Sequence, residues 1–182
     1  MKKIIYCVFL FMGLLSYAQE QIECGLLYYG EKTIKLNAPE GWVLDCEAGL
    51  VSHIRLVMYP EGTTWQNAET AMHIDFESLE MGQDGFEELI SDFDSQFKAK
   101  YKGIKIKKRK TIKIRNYDGI VKYLGGGDYP NYEYLAYIDV DTFVITMTVS
   151  SRSKKNLKAS YSDFMKVLNS IQILELKSNH KK

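Results

Sequence analysis

The sequence has few of the residues on which common catalytic and metal sites depend. Its 182 residues include three histidines, three cysteines and three prolines. It contains no Gly-x-Ser-x-Gly motif, no His-Glu-x-x-His motif and no nucleophile at a catalytic spacing from a histidine. We therefore predict no enzymatic activity and no cofactor.

An excess of charge of either sign is also absent. The formal net charge is +1, with 46% apolar and 26% charged residues. These values exclude a disordered polyelectrolyte, a collagen-like repeat and a disulfide-dense miniprotein, because each has a composition far from the globular average. This length and composition are typical of one globular domain with its own hydrophobic core.

The one long apolar run lies at the amino terminus. Two lysines precede an apolar stretch over residues 4–15, and Ser16 and Ala18 supply small residues where a signal peptidase cuts. The stretch is shorter than the roughly 20 residues of a spanning helix. Cys24 does not follow the small apolar residues of a lipid-attachment site. We predict a cleaved signal peptide over residues 1–18, export to the periplasm or the extracellular space, and no transmembrane segment or lipid anchor afterwards.

Two cysteines, Cys24 and Cys46, remain once the signal peptide is removed. In an oxidising compartment such a pair is typical of a disulfide, which here would close a loop of about 22 residues. Two separate buried thiols are the alternative. We predict the disulfide.

Two periods of hydrophobicity alternate along the mature chain. Helical spacing of apolar residues predicts amphipathic helices over residues 85–101 and 153–171. Alternating or β-branched segments joined by short turns predict antiparallel strands over residues 33–36, 42–44, 50–59, 71–80, 104–114, 120–124, 132–140 and 142–150. No repeat or linker divides the chain. We predict one α+β domain over residues 19–176, with an antiparallel sheet of about six or seven strands flanked by two amphipathic helices, and a basic tail over residues 177–182.

The order of these elements resembles a known family. Residues 34–42 read Ile-Lys-Leu-Asn-Ala-Pro-Glu-Gly-Trp, and residues 167–171 close the second helix with Val-Leu-Asn-Ser-Ile. A strand leading into a Pro-x-Gly-Trp turn and a closing helix of this kind are similar to the PsbP/Mog fold family, over roughly residues 30–175. The resemblance implies an α/β/α sandwich in an exported bacterial member of the family. It also implies binding or accessory work, with no catalytic residues to carry over.

Three polar side chains share one face of a predicted strand: His73, Asp75 and Glu77. Imidazole and carboxylate groups bind Zn²⁺ and perform acid-base catalysis. Neighbours on one strand face stand about 7 Å apart and converge poorly on one ion, so His53 would have to join them from a neighbouring strand. A solvated strand face gives the same pattern. We predict no metal site, with a metal-dependent enzyme using these three residues as an alternative.

Charges are segregated along the chain. Residues 98–115 contain ten bases and no acid, whereas residues 75–94 contain eight acids and no base. The bases predicted to contact a partner are Lys105, Lys107, Lys108, Arg109 and Lys110. Lysines at such positions also protect an edge strand from pairing with another chain, and that interpretation stays open. The predicted partner is a protein or an anionic macromolecule. No nucleic acid is expected, because the chain is exported and nearly neutral.

Tyrosines surround a glycine-rich segment. The Gly-Gly-Gly-Asp run at residues 125–128 leads into a strand and not into a helix, so it is not a phosphate loop. We predict a longer loop between Gly125 and Asn131. Tyrosines suit both recognition surfaces and half-buried strands. Those predicted to contribute to binding are Tyr129, Tyr132 and Tyr134.

The sequence as a whole predicts an exported, non-enzymatic binding or accessory domain. It would act through surface contacts with a protein or another macromolecule. A small-ligand carrier, with a pocket near the Gly125 to Asn131 loop, is a further alternative.

Overall fold

A computed structural model describes residues 24–79 and 85–175 of the chain. The predicted signal peptide (residues 1–18) and basic tail (residues 177–182) lie outside the described residues. The strands, in chain order, are β1 (Leu26–Tyr29), β2 (Lys32–Lys35), β3 (Trp42–Asp45), β4 (Leu56–Pro60), β5 (Thr70–Ser78), β6 (Lys105–Ile114), β7 (Tyr117–Gly126), β8 (Tyr129–Asp139), β9 (Phe143–Ser151) and β10 (Gln172–Glu175). The helices are α1 (Cys46–Val51), α2 (Phe86–Lys100) and α3 (Lys154–Ser170).

Seven strands form one antiparallel sheet in the order β3-β4-β5-β9-β8-β7-β6. The four strands from β6 to β9 are neighbours in both sequence and space, because short turns join each strand to the next. β5 instead pairs with β9, which comes after α2 and three further strands. The prediction of an antiparallel sheet of six or seven strands is confirmed.

Each face of this sheet is covered by one of the long helices. The larger core lies between the sheet and α3, where Met72, Ile74 and Phe76 of β5 join Phe164 and Leu168 of the helix. The smaller core lies under α2 and contains Leu89, Ile90, Ile120, Leu124, Leu135, Tyr137 and Val144. The molecule is therefore an α/β/α sandwich, as predicted. Both amphipathic helices were predicted to within two residues of their observed ends.

A second sheet has three strands in the order β1-β2-β10. β2 is central and pairs antiparallel with both neighbours, so the first and last described strands flank it. The fully buried Ile34 of β2 connects this sheet to the larger core. The predicted strand over residues 33–36 corresponds to β2, but its partners β1 and β10 were not predicted as strands, because each has only four residues and too few alternations to be recognised.

The segment predicted as one extended run over residues 50–59 is only partly a strand. α1 occupies Cys46–Val51, and β4 begins at Leu56. Gly49 allows the chain that follows this short helix to fold back closely against it. A Cβ there would lie 2.9 Å from the Ile54 carbonyl oxygen, and the Ile54 N–H donates a hydrogen bond to the Gly49 carbonyl at 2.9 Å. The apolar residues Leu50 and Val51 are exposed, which is why hydrophobicity alone gave the wrong structure here.

Asp45 connects α1 to β4. Its carboxylate accepts hydrogen bonds from the Tyr59 hydroxyl at 2.6 Å and from the Ala48 N–H at 2.8 Å. The Tyr59 bond, followed by the backbone bond, lowers the pKa of Asp45 below its ordinary value. Because its folded pKa is lowered, the carboxylate stabilises the fold at pH values above its unfolded pKa. This contribution is lost as the pH falls through the folded pKa.

Replacing Tyr59 by phenylalanine is expected to reduce the free energy of unfolding by about 1 kcal/mol near neutral pH. The loss should be smaller at about pH 2, because the bond to an ionised carboxylate is lost as the pH falls through the lowered folded pKa of Asp45. Urea unfolding of the wild type and the variant at the two pH values measures the difference. An equal loss at both would show that the bond to the ionised carboxylate contributes nothing.

The predicted loop between Gly125 and Asn131 is instead a tight hairpin. β7 extends to Gly126 and β8 begins at Tyr129, which leaves a two-residue turn. The turn is held against the end of the α2–β6 connection, where the Asp128 N–H donates to the Lys102 carbonyl at 2.9 Å. The sequence prediction was wrong because it interpreted the glycines as a sign of a long loop. These glycines instead allow the backbone of a short turn to pack closely against the α2–β6 connection.

Cys24 and Cys46 form a disulfide with a Cα–Cα distance of 5.9 Å. It joins the residues just before β1 to the start of α1, and thereby connects the small sheet to the large one. The predicted pairing is confirmed. Among the helices of the described ranges, none is long and apolar enough to cross a membrane.

Candidate functional site

β6 is an edge strand whose bases are exposed to solvent. The register of β6 against β7 determines which face each base occupies. Lys107 is opposite Tyr123, which packs in the larger core, whereas Lys108 is opposite Lys122, which points towards α2. The predicted basic residues therefore divide between the two faces. Those on the α3 face are Lys105, Lys107, Arg109 and Lys110.

Arg109 occupies a β-bulge, where the register of β6 shifts between Lys108 and Lys110. The bulge directs its guanidinium onto the α3 face. The Cζ atom lies 5.0 Å from the ring centroid of Tyr134 and 5.1 Å from that of Tyr161, and these two rings meet edge to face at 4.8 Å. Such cation–π contacts hold the charge in one place. Arg109 therefore connects the edge strand to α3.

The amino-terminal half of α3 adds further bases. Its first turn contains Lys154 and Lys155 and no acid. Acidic residues are favoured there, because the helix dipole is positive at this end. Lys154 and Lys158 precede Tyr161 by seven and three residues, so helical spacing places them on the flank of α3 that faces Arg109.

We call the bases on the α3 face of β6, together with Lys154 and Lys158 of α3, the basic surface. Its members are exposed or extend over the tyrosine rings, and no described carboxylate lies within ion-pair distance of any of them. The basic surface comprises Lys105, Lys107, Arg109, Lys110, Lys154 and Lys158.

The predicted tyrosines do not form one patch. Tyr132 and Tyr134 lie on the α3 face. Tyr134 is 3% exposed, and its ring packs beneath the Arg109 guanidinium. Tyr132 packs over Gly125, whose missing side chain makes room for it. Tyr129 lies on the opposite face, 4.8 Å from the Tyr101 ring and 5.9 Å from the Phe97 ring. Only Tyr132 is both partly exposed and close to the basic surface.

Tyr129 participates in a buried polar group on the α2 side. Glu133 is 7% exposed, and burial raises the pKa of its carboxyl group despite hydrogen bonds with Tyr129, Ser150 and Asn131. Burial and the nearby Glu133 raise the pKa of Tyr129 as well. Glu133 therefore has hydrogen-bond partners inside the protein, and the partly buried Tyr129 is one of them.

His73, Asp75 and Glu77 also face the α2 side of the sheet. Asp75 pairs with Arg55 at 3.7 Å, and the His73 ring lies 6.4 Å from Trp65. Burial lowers the pKa of His73, which favours the neutral imidazole. His53 lies in the turn after α1 and not on a strand beside β5. Across the described ranges, no group of three or more histidine, cysteine, aspartate or glutamate residues is placed to hold a metal ion.

A cavity of about 140 Å³ lies beneath α2. The small-ligand alternative placed a pocket near the Gly125 to Asn131 segment, whereas this cavity is lined by other residues. Its walls come from the strands β5, β8 and β9 and from the helix: Glu77, Phe93, Phe97, Leu135, Tyr137 and Thr146.

The arrangement of sheet and helices is similar to that of several solved structures. One is cyanobacterial PsbP (CyanoP) from Synechocystis sp. PCC 6803, with a TM-score of 0.50 and 11% identity over 83% of this chain and 94% of that one. The chain has a PsbP-like fold. A second is PA94 from Pseudomonas aeruginosa, a protein of unknown function and putative regulator, with a TM-score of 0.52 and 11% identity over 80% of this chain and 93% of that one.

A third structure with this PsbP-like fold is LpqN of Mycobacterium tuberculosis, which is involved in cell envelope biogenesis. Its TM-score is 0.50, with 13% identity over 81% of this chain and 87% of that one. No protein-family model matches the sequence, and no curated protein matches it. The predicted fold resemblance is confirmed, and identities this low establish the fold alone.

Sequence reasoning missed two parts of these sites. The bases of α3 were not connected to those of β6, although the seven-residue spacing of Lys154 and Tyr161 is visible in the sequence. The cavity was also missed, because its walls come from elements far apart in the chain. No local pattern places Glu77 beside Phe93 and Phe97.

Proposed function

We propose that this chain is an exported, non-enzymatic binding domain that contacts an anionic macromolecule through the basic surface. The observation that carries the proposal is the position of Arg109, which links the basic edge strand β6 to α3 through the rings of Tyr134 and Tyr161. The domain extends over residues 19–176, after removal of the leader over residues 1–18.

Charge supports an anionic partner. The mature chain is expected to carry 22 bases and 23 acids, because the leader removes Lys2 and Lys3 and no acid. Its net charge is then about −1, so attraction of an anion depends on how the bases are distributed and not on their number. The helix dipole adds positive potential at the start of α3. The bases of the surface lack described acid partners, so a bound anion would not have to displace an existing ion pair.

Chemistry of the surface also supports binding over catalysis. Lysine and arginine side chains recognise carboxylate, sulfate and phosphate groups, and arginine does so with a fixed geometry when it is stacked on aromatic rings. The basic surface contains no histidine, cysteine or carboxylate to act as a base or nucleophile. Export is supported by the leader pattern and by the disulfide, which persists in oxidising compartments.

Reversing two charges on the basic surface is expected to weaken binding to heparin, used here as a sulfated polyanion, by about tenfold or more. The change is Lys107→Glu with Lys110→Glu, and each lost contact contributes roughly 0.7 kcal/mol before repulsion is added. The dissociation constant is measured by titration at fixed ionic strength, since such contacts are screened by salt.

The matched control is Lys98→Glu with Lys108→Glu. It changes the net charge equally, but Lys108 faces the α2 side and Lys98 lies on α2. The control should bind heparin nearly as the wild type does. Equal weakening by both pairs would mean that total charge alone governs binding, and the proposed surface would be rejected. If only the Lys107/Lys110 variant is weakened, a pull-down from the cell envelope identifies the partner. Proteins captured by the wild type and not by this variant are those that depend on the basic surface.

A further inference from the structure

The cavity beneath α2 combines aromatic walls with one carboxylate. Phe93 and Phe97 contribute the helix side, and the Phe93 ring stacks on Tyr137 with centroids 5.9 Å apart. Glu77 and Thr146 contribute polar atoms from the sheet. A volume of about 140 Å³ suits a group the size of a benzene ring. The cavity also opens to solvent, so a longer ligand can extend outwards.

Among the described acids around the cavity, Glu77 is the one that has no basic partner. Arg55 pairs with Asp75 at 3.7 Å, and Lys122 pairs with Asp94 at 2.7 Å. In the described part of the chain Glu77 forms no ion pair, and its carboxylate accepts no hydrogen bond. Partial burial and the neighbouring Asp75 raise its pKa, as expected for a carboxyl group that lacks a counter-ion.

Aromatic faces and a carboxylate together favour one class of occupant. The aromatic walls favour an apolar group, and the Glu77 carboxylate attracts a cation more strongly where water is partly excluded. A neutral apolar ligand would leave the Glu77 carboxylate partly desolvated and unpaired, whereas an anion would be repelled by it.

We propose that the cavity beneath α2 binds a small organic ammonium ion that carries an apolar group. The ammonium contacts the Glu77 carboxylate, and the apolar group packs against the wall formed by Phe93, Phe97 and Tyr137. Thr146 borders the same opening. This site lies on the opposite face of the sheet from the basic surface and is independent of it.

The test compares 2-phenylethylamine with 2-phenylethanol, which has nearly the same shape and no charge. Protein purified after expression of the full chain is titrated with each at about pH 8, which is well above the ordinary pKa of a glutamate and below that of an alkylamine. The amine is expected to bind about tenfold more tightly, as followed by NMR chemical shifts of the residues that line the cavity. Equal binding of the two ligands, or no shift changes at millimolar amine, would overturn the proposal.

Two variants locate the effect. Glu77→Gln keeps the shape of the side chain and should remove the preference for the amine while alcohol binding stays unchanged. Glu61→Gln, an equal loss of charge at an exposed site, should leave the preference intact. Phe97→Leu should weaken both ligands. Retention of the preference in Glu77→Gln, or unchanged binding in Phe97→Leu, would place the ligand elsewhere and refute the site. Heparin binding should be the same in Glu77→Gln as in the wild type.

Discussion

Alanine in place of Gly127 is expected to lower the free energy of unfolding by about 3 kcal/mol. Gly127 has a φ of 61°, a conformation that costs a residue with a side chain roughly 1 kcal/mol. A Cβ there would also lie 2.1 Å from the Lys102 carbonyl oxygen and 2.4 Å from the Gly103 carbonyl carbon. Both are backbone atoms that cannot rotate away, and such overpacking costs roughly 1–3 kcal/mol. Urea unfolding, followed by intrinsic fluorescence, measures the loss.

Gly30 supplies the matched control for this change. Its φ is 57°, nearly the same as that of Gly127, but nothing lies within 4 Å of a Cβ built on it. Gly30→Ala should therefore cost only the conformational part, about 1 kcal/mol. If the two variants lose equal stability, the contact between the hairpin and the α2–β6 connection is not tight in solution.

Removal of the disulfide is expected to cost about 3 kcal/mol. Cys24 and Cys46 are separated by 22 positions, and in the chain-entropy model a cross-link over such a loop restricts the unfolded state by roughly this amount. The change is Cys24→Ser with Cys46→Ser. Its stability is compared with that of the wild type by urea unfolding under oxidising conditions.

Reduction of the wild type provides an internal check on that result. Wild-type protein in dithiothreitol should unfold at nearly the same urea concentration as the double variant, because both lack the same cross-link. Dithiothreitol should not change the variant. A wild type that dithiothreitol does not destabilise would indicate that these two thiols are not joined.

Much of the fold could be predicted because its long elements have clear periods. β5 alternates buried Met72, Ile74 and Phe76 with more exposed neighbours, and α2 and α3 repeat apolar residues at helical spacing. These elements determine the layers and the antiparallel order of the meander. Short elements were missed where tertiary packing overrides the local pattern. α1 forms although Leu50 and Val51 are exposed, and β10 forms because β2 offers a free edge.

The candidate sites were only partly predictable. The bases of β6 are visible as a charge block, but their division between two faces depends on the bulge at Arg109. No sequence pattern indicates a bulge within a run of lysines. The partners of Arg109 are equally hidden, since Tyr134 and Tyr161 come from β8 and α3. A cavity likewise exists only after distant elements have packed together.

The two candidate sites lie on opposite faces of one sheet, and each face is covered by a different helix. The basic surface depends on α3, and the cavity depends on α2. Substitutions on one face are therefore expected to leave binding at the other unchanged, as long as the sheet itself is intact.

The order of strands also determines when the chain is able to fold. β6 to β9 pair along a continuous stretch, but β5 needs β9, and the Leu79 N–H reaches the Thr142 carbonyl at 3.2 Å only after the intervening segment has closed. During synthesis β3, β4 and β5 emerge early and are able to pair with one another, yet β5 meets β9 only when most of the polypeptide has emerged. The large sheet of this chain therefore remains incomplete until late in synthesis.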